Sequence, residues 1–362
     1  MKVALVGNYP PPFGGVSVHV AALQRALRAR GVDVRVLDIG RGDHDGAGVA
    51  PARGAVRYGA ALAAAAAERR LLHVHTNGAN PKSWLVALAA SRARLAAAPP
   101  PVLTLHSGLC PAYLAGRADR REGVRAICAR FGQVIAVSAE VAAAVEGCGV
   151  PAERIAVIPA FLAAGVAPGA PPRRFAALRE ARAPLFAAAI APGSTYGEDL
   201  LLAAFAALRA REPRAGLVVF GPGSDRGPSA TVGLRGGVLA LGEIDHAAAL
   251  GVMAASDVFV RPTRGDGDAV SVREALSLGR PVVASAVGHR PPGCLLFPAG
   301  DAGALAAAML EVTRLPPAAP VERTLSVRDP FEALLDIYRS LAGERPAAGD
   351  RGGLGEIPCS SP

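Results

Sequence analysis

The sequence predicts an α/β protein made of two Rossmann-like parallel-sheet domains that face each other across a cleft. Three observations point there. Short β-branched runs alternate with long helical ones, the pattern of parallel strands joined by crossover helices. The alternation stops near Pro159-Ala160, and residues 163–172, rich in Pro and Gly, separate it from a second series. The 362 residues exceed one ordinary core and suit two domains of about 150 residues each.

In chain order, Val3–Gly7 reads as the first strand, Val16–Arg30 as a helix and Val34–Asp38 as the second strand. Leu72–His75, Val102–His106 and Val134–Ser138 continue the first series. In the second series the expected strands are Leu185–Ile190, Gly216–Phe220, Val238–Leu241, Val258–Val260, Pro281–Ser285 and Cys294–Phe297. Between them Leu200–Arg211, Ala247–Ala255, Ser271–Gly279 and Ala302–Thr313 read as helices. The expected domains are 1–162 and 173–325, followed by a helical segment 326–342 whose amphipathic part is Asp329–Leu341. Residues 343–362, rich in Gly, Pro and Ser, are expected to form a disordered tail.

Half the residues are apolar (51%), enough for large cores. Ala excess favours helices, and with the dominance of Arg over Lys it reads as a coding bias with no functional meaning. The five cysteines are odd in number, widely spaced and without a C-x-x-C pair, so neither a disulfide framework nor a zinc site is indicated. A reduced, cytoplasmic protein is the expectation. The first apolar run ends at Gly7, too short for a signal-peptide core. The nearest approach to a membrane span, Ala60 to Ala67, is cut by Glu68-Arg69-Arg70.

Charge is unevenly placed. Residues 1–160 hold 19 Lys+Arg against 10 Asp+Glu, and residues 161–362 hold 20 of each, so the whole +9 excess lies in the first half. A basic domain suggests an anionic partner such as acidic lipid or a phosphorylated acceptor. Nucleic acid is disfavoured because no Lys/Arg run is interleaved with aromatics.

Three motifs carry chemistry. Gly7-Asn8-Tyr9-Pro10-Pro11-Pro12-Phe13-Gly14-Gly15-Val16 leads from strand to helix. Gly14 and Gly15 permit close backbone approach, and a helix start offers free amides for an anion; the alternative is a plain turn. It is not G-x-G-x-x-G, which disfavours a dinucleotide oxidoreductase. The second motif, Thr104-Leu105-His106-Ser107-Gly108, places His106 at a strand end, either facing the cleft or capping in solvent. His73 and His75 share a strand face, but without a third ligand at suitable spacing they make no metal site.

The third motif, Arg264-Gly265-Asp266-Gly267-Asp268-Ala269-Val270-Ser271-Val272-Arg273-Glu274, runs from a Gly-rich loop into a helix. Free amides near Val270 and Ser271, with Gly267 in the loop, suit a diphosphate. Asp266 and Glu274 would repel phosphate, so they read as acceptors for sugar and ribose hydroxyls, or as solvated acids at a helix N-terminus. Asp266-Gly267-Asp268 has the form of a D-x-D metal motif, but the helix start already supplies positive potential, so no metal is expected.

Taken together, the chain resembles the retaining GT-B glycosyltransferases of family 4 over nearly its full length. The resemblance rests on Pro11–Val20, Ile135-Ala136-Val137-Ser138, Val218–Gly223, Leu241-Gly242-Glu243-Ile244, Ala255–Pro262 and a last helix containing Ile337-Tyr338-Arg339. It implies an acceptor-side N-terminal domain, a nucleotide-sugar C-terminal domain and a final helix that crosses back to the first. The family's paired acids fall on Asp266, for the donor sugar, and Glu274, for the ribose. Gly14-Gly15 and the amides near Val270-Ser271 would hold the diphosphate. His106 would lie near the reacting sugar, and Glu243-Ile244 against the base.

Two departures stand out. The family's Arg and Lys beside the donor phosphates align with Ala191 and Tyr196, and its first glutamate is shortened to Asp266 by about one C–C bond. Each missing charge-assisted contact corresponds to roughly 1.5–3 kcal/mol. Arg264 or Arg273, beside the loop, are the candidate substitutes.

The resemblance implies sugar transfer from a nucleoside-diphosphate sugar to a lipid-linked or polysaccharide hydroxyl, with no cofactor, at the inner face of a membrane. The alternative is a catalytically weak relative that serves as a binding subunit in polysaccharide assembly. A sugar-nucleotide 2-epimerase of the same shape would need further acid/base groups that are not evident. From the basic first half we predict salt-sensitive co-sedimentation with anionic liposomes and none with neutral ones. Binding indifferent to both salt and lipid charge would refute it.

Overall fold

The computed structural model describes residues 1–42, 48–94, 98–160, 166–314 and 329–343. The first sheet contains β1 (Lys2–Gly7), β2 (Asp33–Asp38), β3 (Val49–Pro51), β4 (Leu71–Thr76), β5 (Val102–Leu105), β6 (Gln133–Ala136) and β7 (Ile155–Val157). Their order is β3-β2-β1-β4-β5-β6-β7, parallel throughout. The second sheet contains β8 (Leu185–Ala189), β9 (Gly216–Phe220), β10 (Val238–Ala240), β11 (Val258–Arg261), β12 (Val282–Ser285) and β13 (Cys294–Phe297). Its order is β10-β9-β8-β11-β12-β13, again parallel.

In both sheets the winding reverses beside the first strand, between β1 and β4 and between β8 and β11. Loops leaving neighbouring strands there diverge to opposite faces and open a crevice at the carboxyl edge. The two crevices face one another, which is why one cleft is lined from both domains.

The central strands are apolar on both faces because helices cover both faces of a parallel sheet. Val3, Ala4, Leu5 and Val6 are all fully buried. The helix Gly15–Ala29 presents Val20, Leu23 and Leu27 to the sheet at helical spacing. Its start is braced by Ser17, whose hydroxyl accepts from the Gly14 amide at 2.9 Å and lies 2.8 Å from the Pro12 carbonyl oxygen.

Several elements depart from the sequence reading. β3 and β7 were not expected, since three residues are too few to show a period. The alanine-rich run near Ala60 lies within a helix, Ala55–Ala67, that buries Tyr58, Leu62, Ala65 and Ala66. β6 stops at Ala136, and Ser138 begins the next helix, its side chain accepting from the Val141 amide. β5 likewise stops at Leu105, leaving His106 in the loop.

The helix Pro330–Ala342 buries Phe331, Leu334, Leu335 and Tyr338 in one cluster with Val3, Leu5, Leu23 and Leu27, so it packs on the first domain. Arg30 and Glu332 are paired at 2.6 Å beside it. Gly343 ends the helix in the left-handed region, and the rest of the expected tail, 344–362, lies outside the described residues, as do 315–328. No helix among the described residues is long and apolar enough to cross a membrane.

Tyr338 is fully buried, and its hydroxyl lies 2.5 Å from His73 Nδ1, while His73 Nε2 lies 2.6 Å from Thr104 Oγ1. Tyr338→Phe leaves His73 Nδ1 buried without a partner and is expected to destabilise by about 1–3 kcal/mol in urea titration. An unchanged midpoint would show that this bond does not hold the helix.

Candidate active site

The cleft between the two carboxyl edges has a volume of about 420 Å³. From the first domain it is lined by the loop after β1, Phe13 to Val16, and by His106 to Leu109 after β5. The second domain contributes the loops after β8, β9 and β11, together with Ile244, His246 and the helix Val270–Ser277.

Two contacts bring the domains together. A Cβ on Gly108 would lie 1.5 Å from the Asp266 carbonyl oxygen, and one on Gly267 would lie 2.9 Å from the Gly108 nitrogen. Only glycine lets these two loops approach so closely. The Phe13 amide also donates to Glu243 Oε1 at 2.6 Å. Glu243, expected against the base, is thus a strap between domains. Its neighbour Ile244 lines the cleft.

On the first-domain wall His106 Nε2 lies 3.1 Å from His75 Nδ1. His19, from the first helix, completes a group whose ring nitrogens lie within 4.8 Å of one another. The third histidine that strand spacing alone could not supply therefore comes from a helix, and it joins His75 and His106 rather than His73. His73 stacks behind His75, ring centroids 4.0 Å apart, and its own nitrogens bond Tyr338 and Thr104.

Burial pushes His19 down to about 4. Burial, reinforced by the neighbouring imidazoles, holds His73, His75 and His106 well below the ordinary histidine range. All four are neutral at pH 7, so the His75–His106 contact is one N–H donating to one lone pair.

On the opposite wall the helix start at Val270 has no side-chain cap, and the amides of Val270 and Ser271 have no partner among the described residues. These are the orphan donors of a helix N-terminus, facing the cleft with the positive dipole end. Glu274 is buried one turn in, with Oε1 2.7 Å from His246 Nε2. Gly14 and Gly15 face this wall, with open space where side chains would stand.

Asp266 lines the cleft, and both of its oxygens accept hydrogen bonds from its own domain. Oδ2 accepts from Arg261 Nε at 2.9 Å, Arg290 Nη2 at 3.2 Å and Thr263 Oγ1 at 3.2 Å, while Oδ1 accepts from the Gly267 amide at 3.1 Å. Burial raises its pKa, but Arg261 above all, with Arg290 and Thr263, outweighs that and holds it below the usual carboxylate range. Asp266, expected from the sequence to accept from sugar hydroxyls, is thus also the partner of two guanidiniums. Asp268 is bonded by Arg273 Nε at 2.7 and 2.9 Å. The D-x-D pair therefore presents no free carboxylate to an ion.

The two candidate substitute cations are bonded away from the cleft. Arg264 forms a bidentate pair with Asp199, at 2.8 and 2.7 Å, and bonds the Ser194 carbonyl; Arg273 is held by Asp268. Neither lines the cleft, whereas Ala191, Tyr196 and Arg261 do. Arg261, His246 and Arg290 escaped sequence reading. A signal for Arg261 was available: it follows Val258-Phe259-Val260, and strand alternation places it on the face of Phe259. His246 and Arg290 leave no such pattern.

Two facing parallel sheets with this shared cleft define the GT-B architecture. The model for Glycosyltransferase Family 4 matches residues 13–162, and that for Glycosyl transferases group 1 matches residues 182–314. The chain belongs to the family 4 GT-B glycosyltransferases and is a transferase of that class. Anabaena HepE in complex with UDP-glucose has the same fold, with a TM-score of 0.66 and 20% identity over 95% of this chain and 98% of that one. Sucrose-phosphate synthase from Thermosynechococcus elongatus gives 0.63 and 20%, over 95% and 97%. The α,α-trehalose 6-phosphate synthase of Burkholderia multivorans gives 0.66 and 14%, over 94% and 99%. No protein of curated function matches the chain significantly in sequence.

The neutral histidines make stability depend on pH with a definite sign. Above pH 6.5 His19 is uncharged folded and unfolded. Between 6.5 and about 4 the unfolded chain takes a proton that the folded state refuses, so stability falls as pH falls. The loss is up to about 1.4 kcal/mol per pH unit for each such histidine. Urea midpoints measured from pH 7.5 to 5 are expected to fall, with a shallower slope in His19→Gln. Equal slopes in both proteins would refute burial of a neutral His19.

Proposed function

We propose that the protein transfers a sugar from a nucleoside-diphosphate sugar to a hydroxyl of a lipid-linked or polysaccharide acceptor, with retention of anomeric configuration. The observation that carries this reading is the uncapped helix start at Val270-Ser271, set in a cleft that both domains line. Its free amides suit a diphosphate, and they face a Gly14-Gly15 loop that leaves room for one. That Anabaena HepE holds UDP-glucose in the same fold supports a donor of this class.

In this reading Glu274, oriented by His246, accepts from the ribose hydroxyls. Ile244, beside Ala249 and Met253, offers an apolar wall to the base. The helix amides stabilise the charge that grows on the leaving diphosphate, in a role that calls for no metal. The departing phosphate oxygen takes the acceptor's proton on the face where the new bond forms. His106, kept neutral by burial, lies at the sugar end and bonds hydroxyls without repelling a developing positive charge. The acceptor enters from the basic first domain, which suits a cytoplasmic enzyme working at an anionic membrane surface.

The binding-subunit reading is favoured by one observation: Ala191 and Tyr196 line the cleft without charge. Calorimetric titration with a panel of nucleoside diphosphates and their sugars separates the two. The transferase reading expects one nucleotide to bind in the micromolar range. Glu274→Ala is expected to weaken it at least about tenfold, the loss of hydrogen bonds to a charged group. Absence of binding by every nucleotide would put the binding-subunit reading first.

A further inference from the structure

We infer that Arg261 is the cation that receives the donor's diphosphate, and that Asp266 serves as its holder instead of binding sugar. The inference rests on the nucleotide-sugar reading above and assigns its phosphate contact.

Among the described residues lining the cleft, Arg261 is the only Arg or Lys. Its side chain is 12% exposed, which makes it a strongly desolvated, permanently charged group. Nε is held by Asp266 at 2.9 Å, and the guanidinium carbon lies 5.4 Å from the centre of the Tyr196 ring. The two terminal nitrogens make no hydrogen bond with any described residue. Their N–H donors belong to a side chain on the same cleft wall as the orphan amides of Val270 and Ser271. Charged, partly buried donors open to the cleft suit an anionic acceptor.

Local charge agrees. Asp266 sits between two guanidiniums, Arg261 and Arg290. Arg290 is only 3% exposed, does not line the cleft, and also donates to the Ser285 carbonyl and Thr263. One carboxylate between two guanidiniums leaves one positive charge uncompensated, and Arg261 is the member that reaches the cleft. Arg290 thus frees Arg261 for a ligand while Asp266 fixes its plane. The Tyr196 ring, at a position where a cation would otherwise stand, becomes the surface against which the guanidinium rests. The short Asp266 side chain has the same logic, since all four of its contacts come from its own domain and none from across the cleft.

The test compares the nucleoside diphosphate that binds the unaltered protein with its monophosphate and its nucleoside, by calorimetry. The unaltered protein is expected to prefer the diphosphate. Arg261→Leu should weaken the diphosphate by about tenfold to hundredfold, the monophosphate less and the nucleoside not at all. Arg261→Lys should restore part of the preference, because charge returns without the planar fork. Asp266→Asn, which loosens the arginine, should lower the same ratio, and the exposed Arg264→Gln should leave it unchanged. An equal loss for all three ligands in Arg261→Leu, or an unaltered diphosphate affinity, overturns the inference. A wild-type protein that binds none of the three overturns the donor reading itself, and with it this assignment. Circular dichroism of each variant separates a folding defect from a binding one.

Discussion

The backbone of Gly108 rests against the backbone of Asp266 and Gly267, and the way the two domains share one cleft depends on that contact. No side chain fits between the two loops. Gly288 extends the constraint from behind, since a Cβ there would lie 2.4 Å from the Asp266 carbonyl oxygen. The loop carrying Asp266 is therefore pinned on both sides by glycine. The free amides of the helix start and Glu274, next along the chain, inherit their positions from that pinning. His106, two residues before Gly108, is placed by the same contact from the other wall.

The first domain is organised around a polar seam uncommon in so apolar a sheet. From Tyr338 on the last helix, bonds run to His73 and Thr104; His73 stacks on His75, and His75 bonds His106 at the cleft. Each imidazole is neutral because burial penalises its charged form. A chain of neutral donors and acceptors thus links the returning helix to the cleft wall without placing charge beneath the site. The second domain does the opposite. Its Asp266 is held ionised by Arg261 and Arg290, and Asp268 is paired with Arg273. Two walls with different electrostatics result, one neutral and one rich in paired charge.

Much of the site was legible because a strand end followed by glycines and a helix start is a local pattern. Gly14, Gly15, His106, Ile244, Gly267, Val270, Ser271 and Glu274 all line the one cleft. Partners were not legible. Asp266 has the spacing of a sugar-binding acid, yet one of its partners, Arg290, stands 24 positions away on the loop after β12. Glu243 stands beside a cleft residue but bonds Phe13, which is 230 positions away in sequence. Arg264 and Arg273 flank the right loop and turn to Asp199 and Asp268 instead, since a loop's neighbours in sequence point to different sides of it.

By itself the sequence determined the two parallel sheets and the order of their loops. Alternating apolar runs, glycines and helix periods are short-range signals, and burial on both faces leaves them little freedom. Only the tertiary structure decided which polar groups meet. It brought His19 from a helix to His75 and His106, set Arg290 behind Asp266, and left Arg261 as the cation on the cleft wall. These pairings depend on distances across 24 to 87 residues of chain, from Asp266 to Arg290 and from His19 to His106, and no local pattern encodes a distance of that kind.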